Sequence, residues 1–394
     1  MTRFAIFIAV VLTITLGIHY YLWARFVRAP ALPVPWRAVA TVALGALAVG
    51  MPLAMFLGRR VPSVGRALAG PAFLWMGLMF LLLVTMAGAD LVRFVASLVR
   101  RANEGPLDPS RRVVAARLAA GTAAALSGGL GAVAWRAARG PVAVKRVEVA
   151  LSRLPQAHDG LRIVQLTDVH VGSLIGRAFV EDVVRRTNAL QPDVVAITGD
   201  LVDGSVAELG NAVAPLADLR ARHGVFFVTG NHEYFSGAEP WLVELERLGV
   251  RVLRNERVSI GAGDDAFDLA GVEDHSSERY GGAPHDEAMA RAFGGRDPGR
   301  EVVLLAHQPR SFRAAARFGV GLQLSGHTHG GQMWPFGLIV RLSQPFLAGL
   351  HREGDSQIYV SRGTGYWGPP MRLGAPAEIT EVILKRAPAL SRAT

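Results

Sequence analysis

Side chains able to bind metal ions follow several apolar segments of this 394-residue sequence. They comprise two aspartates, one asparagine and four histidines, and the chain contains no cysteine. They are Asp168, His170, Asp200, Asn231, His307, His327 and His329. A set of nitrogen and oxygen ligands without sulfur suits Mn, Fe, Zn or Co better than Ca. Because one carboxylate can bridge two cations, the set predicts two divalent metal ions, with Mn favoured, and phosphate-ester chemistry.

Each of these residues also has a structural interpretation when it is taken alone. An aspartate after a glycine, as at Gly199-Asp200, is often a turn residue, and Asn231-His232 could begin a helix. A single histidine at the end of a strand is more often structural than a ligand. The occurrence of the whole set at predicted strand ends nevertheless favours a metal centre.

The elements that would position these residues are short apolar runs, which alternate with amphipathic segments from about Lys145 onward. The runs predict buried strands over residues 161–167, 193–199, 225–230, 302–307, 321–326 and 357–361. The amphipathic segments predict helices over 178–190 and 206–222. This alternation is typical of an α/β fold, in which ligands gather beyond the carboxyl ends of the strands.

The series of motifs resembles that of the calcineurin-like metallophosphoesterase superfamily. The motifs are Asp-x-His from Asp168, Gly-Asp-x-x-Asp from Gly199, Gly-Asn-His-Glu from Gly230, His307, and Gly-His-Thr-His from Gly326. The resemblance covers roughly residues 160–385. The segment 326–332, together with long apolar stretches in the first 140 residues, is similar to the membrane-associated branch that includes YaeI- and YkuE-type proteins. The resemblance implies a four-layer αββα sandwich, in which two β-sheets lie between outer helices.

The resemblance also implies a role for each site residue. One metal ion would be held by Asp168, His170, Asp200 and His329, and the other by Asp200, Asn231, His307 and His327, with Asp200 as the bridge. His232 would contact the leaving oxygen and act as general acid, while a metal-activated hydroxide attacks phosphorus. Asp203 matches the position that orients this histidine, and its alternative interpretation is a solvated turn carboxylate before Gly204.

The first part of the sequence has a different character. The whole chain is 51% hydrophobic and only 19% charged, and four long apolar stretches fall within its first 140 residues. They predict membrane-spanning helices over about 4–23, 36–57, 70–89 and 113–135. We therefore predict a transmembrane region of three to four helices over 1–140 and a metallophosphoesterase domain over 145–394.

The fourth apolar stretch has two interpretations. Arg111-Arg112 and the Ala/Gly-rich segment after it resemble a twin-arginine export signal, whereas the alternative is an ordinary fourth helix with a basic flank. The export interpretation would place the metallophosphoesterase domain on the extracytoplasmic side of the cell membrane, which is the placement we favour. The formal net charge is +10, and the arginines cluster at the ends of apolar segments. That distribution fits membrane flanks better than a nucleic-acid partner, and no nucleic acid is expected.

Residues 333–350 form an apolar stretch directly after the last metal motif. One interpretation is that this stretch packs under the sandwich. The other is that Trp334, Phe336 and their neighbours form a hydrophobic rim that contacts the bilayer or an acyl chain.

Together these features predict a membrane-anchored phosphohydrolase with a dinuclear metal centre. We expect it to cleave phosphodiester or pyrophosphate bonds of a phosphorylated small molecule or lipid, such as an envelope lipid or its precursor. One alternative is a phosphoprotein phosphatase, for which the short loops between the motifs leave little room. Another is an inactive metal-bearing scaffold, against which the complete ligand set argues.

Overall fold

The computed structural model describes residues 2–60, 62–101 and 108–387. The chain divides into two compact units, residues 1–137 with 368–371 and residues 138–367 with 372–394. The N-terminal part forms four α-helices. They are α1 (Thr2–Trp23), α2 (Val34–Arg60), α3 (Pro62–Arg101) and α4 (Pro109–Arg139). All four are long and apolar enough to cross a membrane, as judged by length and composition. The predicted group of three to four apolar helices is therefore present as four.

A small polar cluster joins α1 and α3 among these apolar side chains. The Tyr21 hydroxyl donates a hydrogen bond to Asp90 Oδ2 over 2.6 Å. Arg25 Nε, in the π-helical turn Ala24–Arg28 that continues α1, lies 2.8 Å from the same carboxylate. Polar groups within an apolar helical bundle need such partners, because unsatisfied ones are costly.

The described residues of the second unit form twelve strands and seven α-helices. The strands are β1 (Ala143–Leu151), β2 (Arg162–Leu166), β3 (Val194–Ile197), β4 (Val225–Phe227), β5 (Arg251–Val252), β6 (Glu256–Ile260), β7 (Phe267–Gly271), β8 (Val302–Leu305), β9 (Leu322–Ser325), β10 (Gly349–Glu353), β11 (Ser356–Val360) and β12 (Glu378–Arg386). The helices are α5 (Arg177–Ala189), α6 (Val206–Val213), α7 (Asn231–Ser236), α8 (Ala238–Arg247), α9 (His285–Phe293), α10 (Phe312–Arg317) and α11 (Gly337–Val340).

The strands form two mixed six-stranded sheets. The first has the order β1-β12-β2-β3-β4-β5, and β2 to β5 within it are parallel. The second has the order β10-β11-β9-β8-β7-β6, and β11, β9, β8 and β7 within it are parallel. Successive βαβ units in each sheet therefore direct several strand ends toward the same edge.

The two sheets pack face to face. Side chains alternate between the two faces of a strand, so each sheet contributes one face to a shared core. In β2, Ile163 belongs to the core shared by both sheets, whereas Val164 belongs to the core on the outer side of the first sheet. Trp241 of α8 lies in that outer core, and Met289 of α9 lies in a third core against the second sheet. The order helix, sheet, sheet, helix confirms the predicted αββα sandwich.

The continuous apolar runs became strands close to their predicted positions, namely β2, β3, β4, β8, β9 and β11. The helix predicted over 178–190 is α5. The helix predicted over 206–222 is shorter, because α6 ends at Val213 and a 3-10 turn from Ala214 to Asp218 follows. Pro215 lies in that turn and supplies no backbone N–H to continue the α-helix.

Candidate metal centre

Five loops at the carboxyl ends of parallel strands carry the predicted site residues. In the first sheet, the loops after β2, β3 and β4 carry Asp168 with His170, then Asp200, then Asn231 with His232. In the second sheet, the loops after β8 and β9 carry His307, then His327 with His329. The sequence separation between the first and last of these residues is large, but the topology brings them to one edge of the sandwich.

One group of ligand atoms surrounds the Asp168 carboxylate. His170 Nε2 and His329 Nε2 lie 3.1 Å apart, and His329 Nε2 lies 3.4 Å from Asp168 Oδ1. His170 Nε2 is also 3.9 Å from Asp200 Oδ2. Each three-residue set, Asp168-His170-His329 and His170-Asp200-His232, has its ligand atoms within 4.8 Å of one another.

A second group shares the Asp200 carboxylate with the first. His307 Nε2 lies 3.2 Å from Asp200 Oδ2, and His327 Nδ1 lies 3.2 Å from His307 Nε2. The His232 N–H donates to Asp200 Oδ1, and the residue before it, Asn231, has a buried Oδ1 without a hydrogen-bond partner among the described residues. Asp200 therefore stands between the two groups.

These residues fit two divalent cations by their chemistry. The nitrogens of two imidazoles approach each other to 3.1 Å at His170 and His329 and to 3.2 Å at His307 and His327. Two lone pairs repel each other at that distance, so a proton or a cation must lie there. A buried amide oxygen without a partner is costly, and a cation would satisfy it. The donors are nitrogen and oxygen only, which agrees with the metals that the sequence predicts.

Burial and neighbouring charges set the protonation of the cluster. Burial lowers the pKa of His329, and His170 and Arg372 lower it further. Burial would raise the pKa of Asp200, but the nearby histidines, His307 first, hold it well below its usual value. The same carboxylate raises the pKa of His307 well above the ordinary value although burial lowers it. Asp200 and His307 thus favour each other's charged forms, and a bound cation would take over the part of the histidine charge.

The backbone at the site adopts an unusual conformation. Five of the seven predicted ligands have positive φ angles, in the left-handed region that non-glycine residues rarely occupy. They are Asp168 (52°), His170 (54°), Asp200 (51°), His327 (71°) and His329 (51°). Each such residue costs on the order of 1–3 kcal/mol, and such residues cluster at functional sites. The surrounding fold must therefore supply the energy that holds this geometry.

Two glycines let the loops approach these carboxylates. A Cβ atom at Gly326 would collide with Asp168 Oδ2, and one at Gly230 would collide with Asp200 Oδ1. Glycine before His327 and before Asn231 is therefore a steric requirement of the site, in addition to its role in turning the chain.

His232 lies beside the cluster and borders the solvent. Its Nδ1 is 2.6 Å from Asp203 Oδ1, and the same oxygen is 3.1 Å from His170 Nδ1. Burial lowers the pKa of His232, but the charge of Asp200 and the hydrogen bond with Asp203 raise it to about 9. Two exposed aromatic rings flank the imidazole, with centroids at 5.4 Å for Phe235 and 5.7 Å for Trp367. The arrangement can hold a proton next to an open, partly apolar space.

Comparison with known proteins assigns the family. A family model described as calcineurin-like phosphoesterase matches residues 161–331. A metallophosphoesterase of Aquifex aeolicus is 35% identical over 244 residues, which cover 61% of this chain and 91% of that protein. The chain belongs to the calcineurin-like phosphoesterases. The metallophosphoesterase YkuE of Bacillus subtilis is 31% identical over 242 residues and covers 59% of this chain and 82% of that protein. The predicted family, including its similarity to YkuE, is thus confirmed.

Another relative carries a membrane region in its name. The transmembrane protein with metallophosphoesterase domain of Bos taurus is 45% identical over 258 residues, which are 63% of this chain and 58% of that protein. The match therefore spans little more than half of that relative. Together with the four apolar helices, this likeness supports a membrane protein that carries a calcineurin-like phosphoesterase domain.

In this calcineurin-like phosphoesterase, Glu233 has a structural role that was not predicted from the sequence. Its buried carboxylate accepts hydrogen bonds from the backbone N–H groups of Asp200 (2.9 Å), Leu201 (2.8 Å) and Gly230 (2.6 Å). It thereby joins the loops that carry Asp200 and Asn231. Glutamate at the third position of a helix is a known capping signal, and α7 begins at Asn231. That signal could have pointed to Glu233.

Arg372 is a second residue of this phosphoesterase domain that no sequence signal indicated. Its side chain is buried, and it donates to the carbonyl oxygens of Gly365 and Ala375, each at 2.9 Å. Its Nη2 lies 3.3 Å from His329 Nδ1. The guanidinium therefore packs against the outer side of the His329 ring, whose Nε2 faces Asp168. The 43-residue separation between Arg372 and His329 hides this contact in the sequence.

Proposed function

We propose that this protein is a membrane-anchored phosphohydrolase that uses two divalent metal ions to cleave phosphodiester or pyrophosphate bonds. The observation that carries the proposal is the pair of buried ligand groups that share Asp200. A single carboxylate between two groups of imidazoles provides two adjacent positions of matched chemistry, as two-metal hydrolases require. Membership of the calcineurin-like phosphoesterases supports the same reaction class.

The first metal would be held by Asp168, His170, Asp200 and His329, and the second by Asp200, Asn231, His307 and His327. When bound, such ions polarise phosphoryl oxygens and lower the pKa of a coordinated water to about 7. We favour Mn, because the mixed imidazole and oxygen ligands suit it. The protein contributes a buried, preorganised arrangement of these side chains.

His232 would serve as the general acid. Asp203 Oδ1 accepts the Nδ1 proton of the imidazole, so the Nε2 atom faces away from that carboxylate and can hold the second proton. Nε2 would give this proton to the departing oxygen. The leaving group is then a neutral alcohol, or a protonated phosphate anion when a pyrophosphate bond is cleaved. General-acid catalysis of this kind contributes typically about 10²–10⁴-fold to the rate.

The substrate class follows from the setting of the domain. A chain with four apolar helices keeps its phosphoesterase domain near a lipid phase. A phosphorylated lipid or lipid precursor is therefore the proposed substrate class, with a phosphorylated small molecule as the other source of the same bond. We further propose a cell-membrane location with the domain on the extracytoplasmic side.

The full-length protein in detergent, loaded with Mn, tests the proposal. Hydrolysis of a bis-aryl phosphate diester is compared with that of the aryl monoester, in the wild type and in Asp200→Asn. Asp182→Asn is the control, because Asp182 pairs with Arg186 on the surface of α5. Diester turnover that is lost only in Asp200→Asn is the expected result. Bound metal without turnover on either ester or on a lipid diester would instead favour an inactive scaffold.

A further inference from the structure

Directly after the metal motif, the chain exposes a concentrated set of large apolar side chains. They are Trp334 (68% exposed), Phe336 (43%), Leu338 (66%), Ile339 (56%) and Leu342 (86%). These five residues, here called the Trp334 surface, lie within nine consecutive positions. Elsewhere in the described part of the second unit, large exposed apolar side chains occur singly or at wide spacing. The interpretation that this stretch packs under the sandwich therefore does not hold for its first half.

The Trp334 surface rests on an anchored backbone. Met333 is buried at 5% exposure, and the Trp334 N–H donates to the Leu373 carbonyl over 2.9 Å. Further along, Phe346 packs edge-on against the buried ring of Phe312, with centroids 5.4 Å apart. Both ends of the segment are thus fixed to the domain. The apolar side chains between them are presented outward by a defined turn and the short helix α11.

An anchored apolar surface of this size needs an apolar partner, since scattered exposed residues are normal but contiguous patches mark interaction sites. The charge around it identifies the partner. Within residues 326–351 the sequence has one arginine, Arg341, and no lysine, aspartate or glutamate. Arg341 is exposed within the Trp334 surface itself, between Ile339 and Leu342. Apolar side chains that include a tryptophan, with a cation and no acid among them, match the boundary between lipid headgroups and acyl chains.

We propose that the Trp334 surface inserts into the headgroup and acyl boundary of a bilayer that contains anionic lipid. The four apolar helices are long and apolar enough to cross a membrane, so the chain that carries this surface is tethered to a bilayer. A second copy of the chain fits less well, because a self-complementary interface on this surface would bury two copies of Arg341 without an acidic residue of the segment to pair with them.

The same surface is connected to the candidate metal centre. Gln332, which links the His327–Gly331 motif to Trp334, donates from Nε2 to the Trp367 carbonyl over 2.9 Å. Its Oε1 accepts from the Trp367 N–H over 3.0 Å. Trp367 in turn flanks His232. Contact of the Trp334 surface with lipid would therefore hold the rim of the site at the membrane surface.

Fluorescence of the full-length protein in nanodiscs tests the proposal. The discs contain phosphatidylcholine and phosphatidylglycerol, with the acyl chains either brominated or not, because bromine quenches tryptophan only at close contact. The contribution of Trp334 is the difference between the wild type and Trp334→Phe. We expect most of this contribution to be lost in brominated lipid. The contribution of Trp241, obtained from Trp241→Phe, should be unchanged, because Trp241 is buried in the domain core.

A second variant guards against a local effect of the tryptophan substitution. Ile339→Ser with Leu342→Ser leaves Trp334 in place and alters side chains that are already exposed, so the fold should be retained. It should restore much of the Trp334 fluorescence in brominated lipid. Equal Trp334 fluorescence in both lipids would overturn the proposal. If the discs then held two copies of the chain, a second copy would be the occupant of this surface instead. Because no hydrolysis is measured, the result is independent of the proposed catalytic function.

Discussion

Asp203 Oδ1 lies 2.6 Å from His232 Nδ1, and it is the only carboxylate oxygen within hydrogen-bonding distance of that atom among the described residues. The same oxygen lies 3.1 Å from His170 Nδ1. One carboxylate thus fixes both the proposed general acid and a proposed ligand. A carboxylate in this position orients the imidazole rings and raises their basicity.

Asp203→Asn should slow the cleavage of esters that have poor leaving groups. Without the carboxylate, the His232 imidazolium is less stabilised, and protonation of an alkoxide depends on it. We expect kcat for an alkyl phosphodiester to fall about ten- to 100-fold, the range typical of such supporting residues. The fall should be smaller for a nitrophenyl diester, whose leaving group needs little protonation. An equal fall on both esters would indicate a purely structural or metal-binding effect.

The protonation of His232 should be visible in the stability of the metal-free protein. Its pKa of about 9 lies above the ordinary value of 6.5, so its stabilising contribution is fully present below about pH 6.5 and is lost as pH rises through about 9. The contribution is on the order of 3 kcal/mol. With a chelator present, the Tm advantage of the wild type over His232→Gln should therefore be larger at about pH 6 than at about pH 10. The same advantage at both values would contradict this prediction.

Asn231→Ala should remove one metal ion and leave the other. Asn231 Oδ1 is buried and has no hydrogen-bond partner among the described residues, and the N–H of the next residue, His232, donates to Asp200 Oδ1. The other group has its own carboxylate in Asp168. Bound Mn, measured by mass spectrometry after equilibration, should fall from about two to about one equivalent per chain. Asn211→Ala, at an exposed position on α6, is the control and should retain both equivalents.

Arg372→Met should lower the stability of the domain. The guanidinium is buried and satisfies the carbonyl oxygens of Gly365 and Ala375, which methionine cannot reach with a donor. Unsatisfied buried acceptors cost about 1–3 kcal/mol each, so we expect a loss of roughly 3 kcal/mol. Tm of the metal-free protein in detergent should fall by several degrees, and Arg313→Met should leave it unchanged because that side chain is exposed. A Tm equal to the wild-type value would show that the contacts of Arg372 are not maintained.

Phe235→Ala and Trp367→Ala should weaken the binding of bulky leaving groups. Both rings are exposed and lie next to His232, where the departing group would sit. We expect KM for a bis-aryl diester to rise about ten-fold, with a smaller change for a methyl aryl diester. Tyr280→Ala is the control, because Tyr280 is an exposed ring that stacks on Tyr234 instead. A fall in kcat without a change in KM would argue against a role in substrate binding.

The fold could be predicted from the sequence where burial is continuous, and not where pairing is distant. β3, β4 and β8 are unbroken apolar runs because they are covered on both faces. β1 and β12 mix apolar with charged residues, and they pair with each other from Ala143 and Glu378 across more than 200 residues. β1 lies at the edge of the first sheet and β12 lies between β1 and β2. Neither strand carries a local signal that distinguishes it from a solvated segment.

The site divides in the same way. The side chains of the proposed ligands could be identified, because each follows an apolar run and belongs to a recognisable motif. The left-handed backbone at Asp168 and Asp200 could not be predicted, since an aspartate does not by itself indicate a positive φ. The contacts of Glu233 and Arg372 depend on loops that meet only in the folded chain.

The left-handed backbone at five proposed ligands constrains which residues can occupy these positions during evolution. A lineage that still needs the metals must retain side chains that the local backbone disfavours. A lineage that lost the need would relieve the backbone strain by accepting glycine there, because glycine adopts a positive φ without steric cost. Glycine at the positions of Asp168, His170 and Asp200 would therefore be the expected mark of a descendant that has given up catalysis.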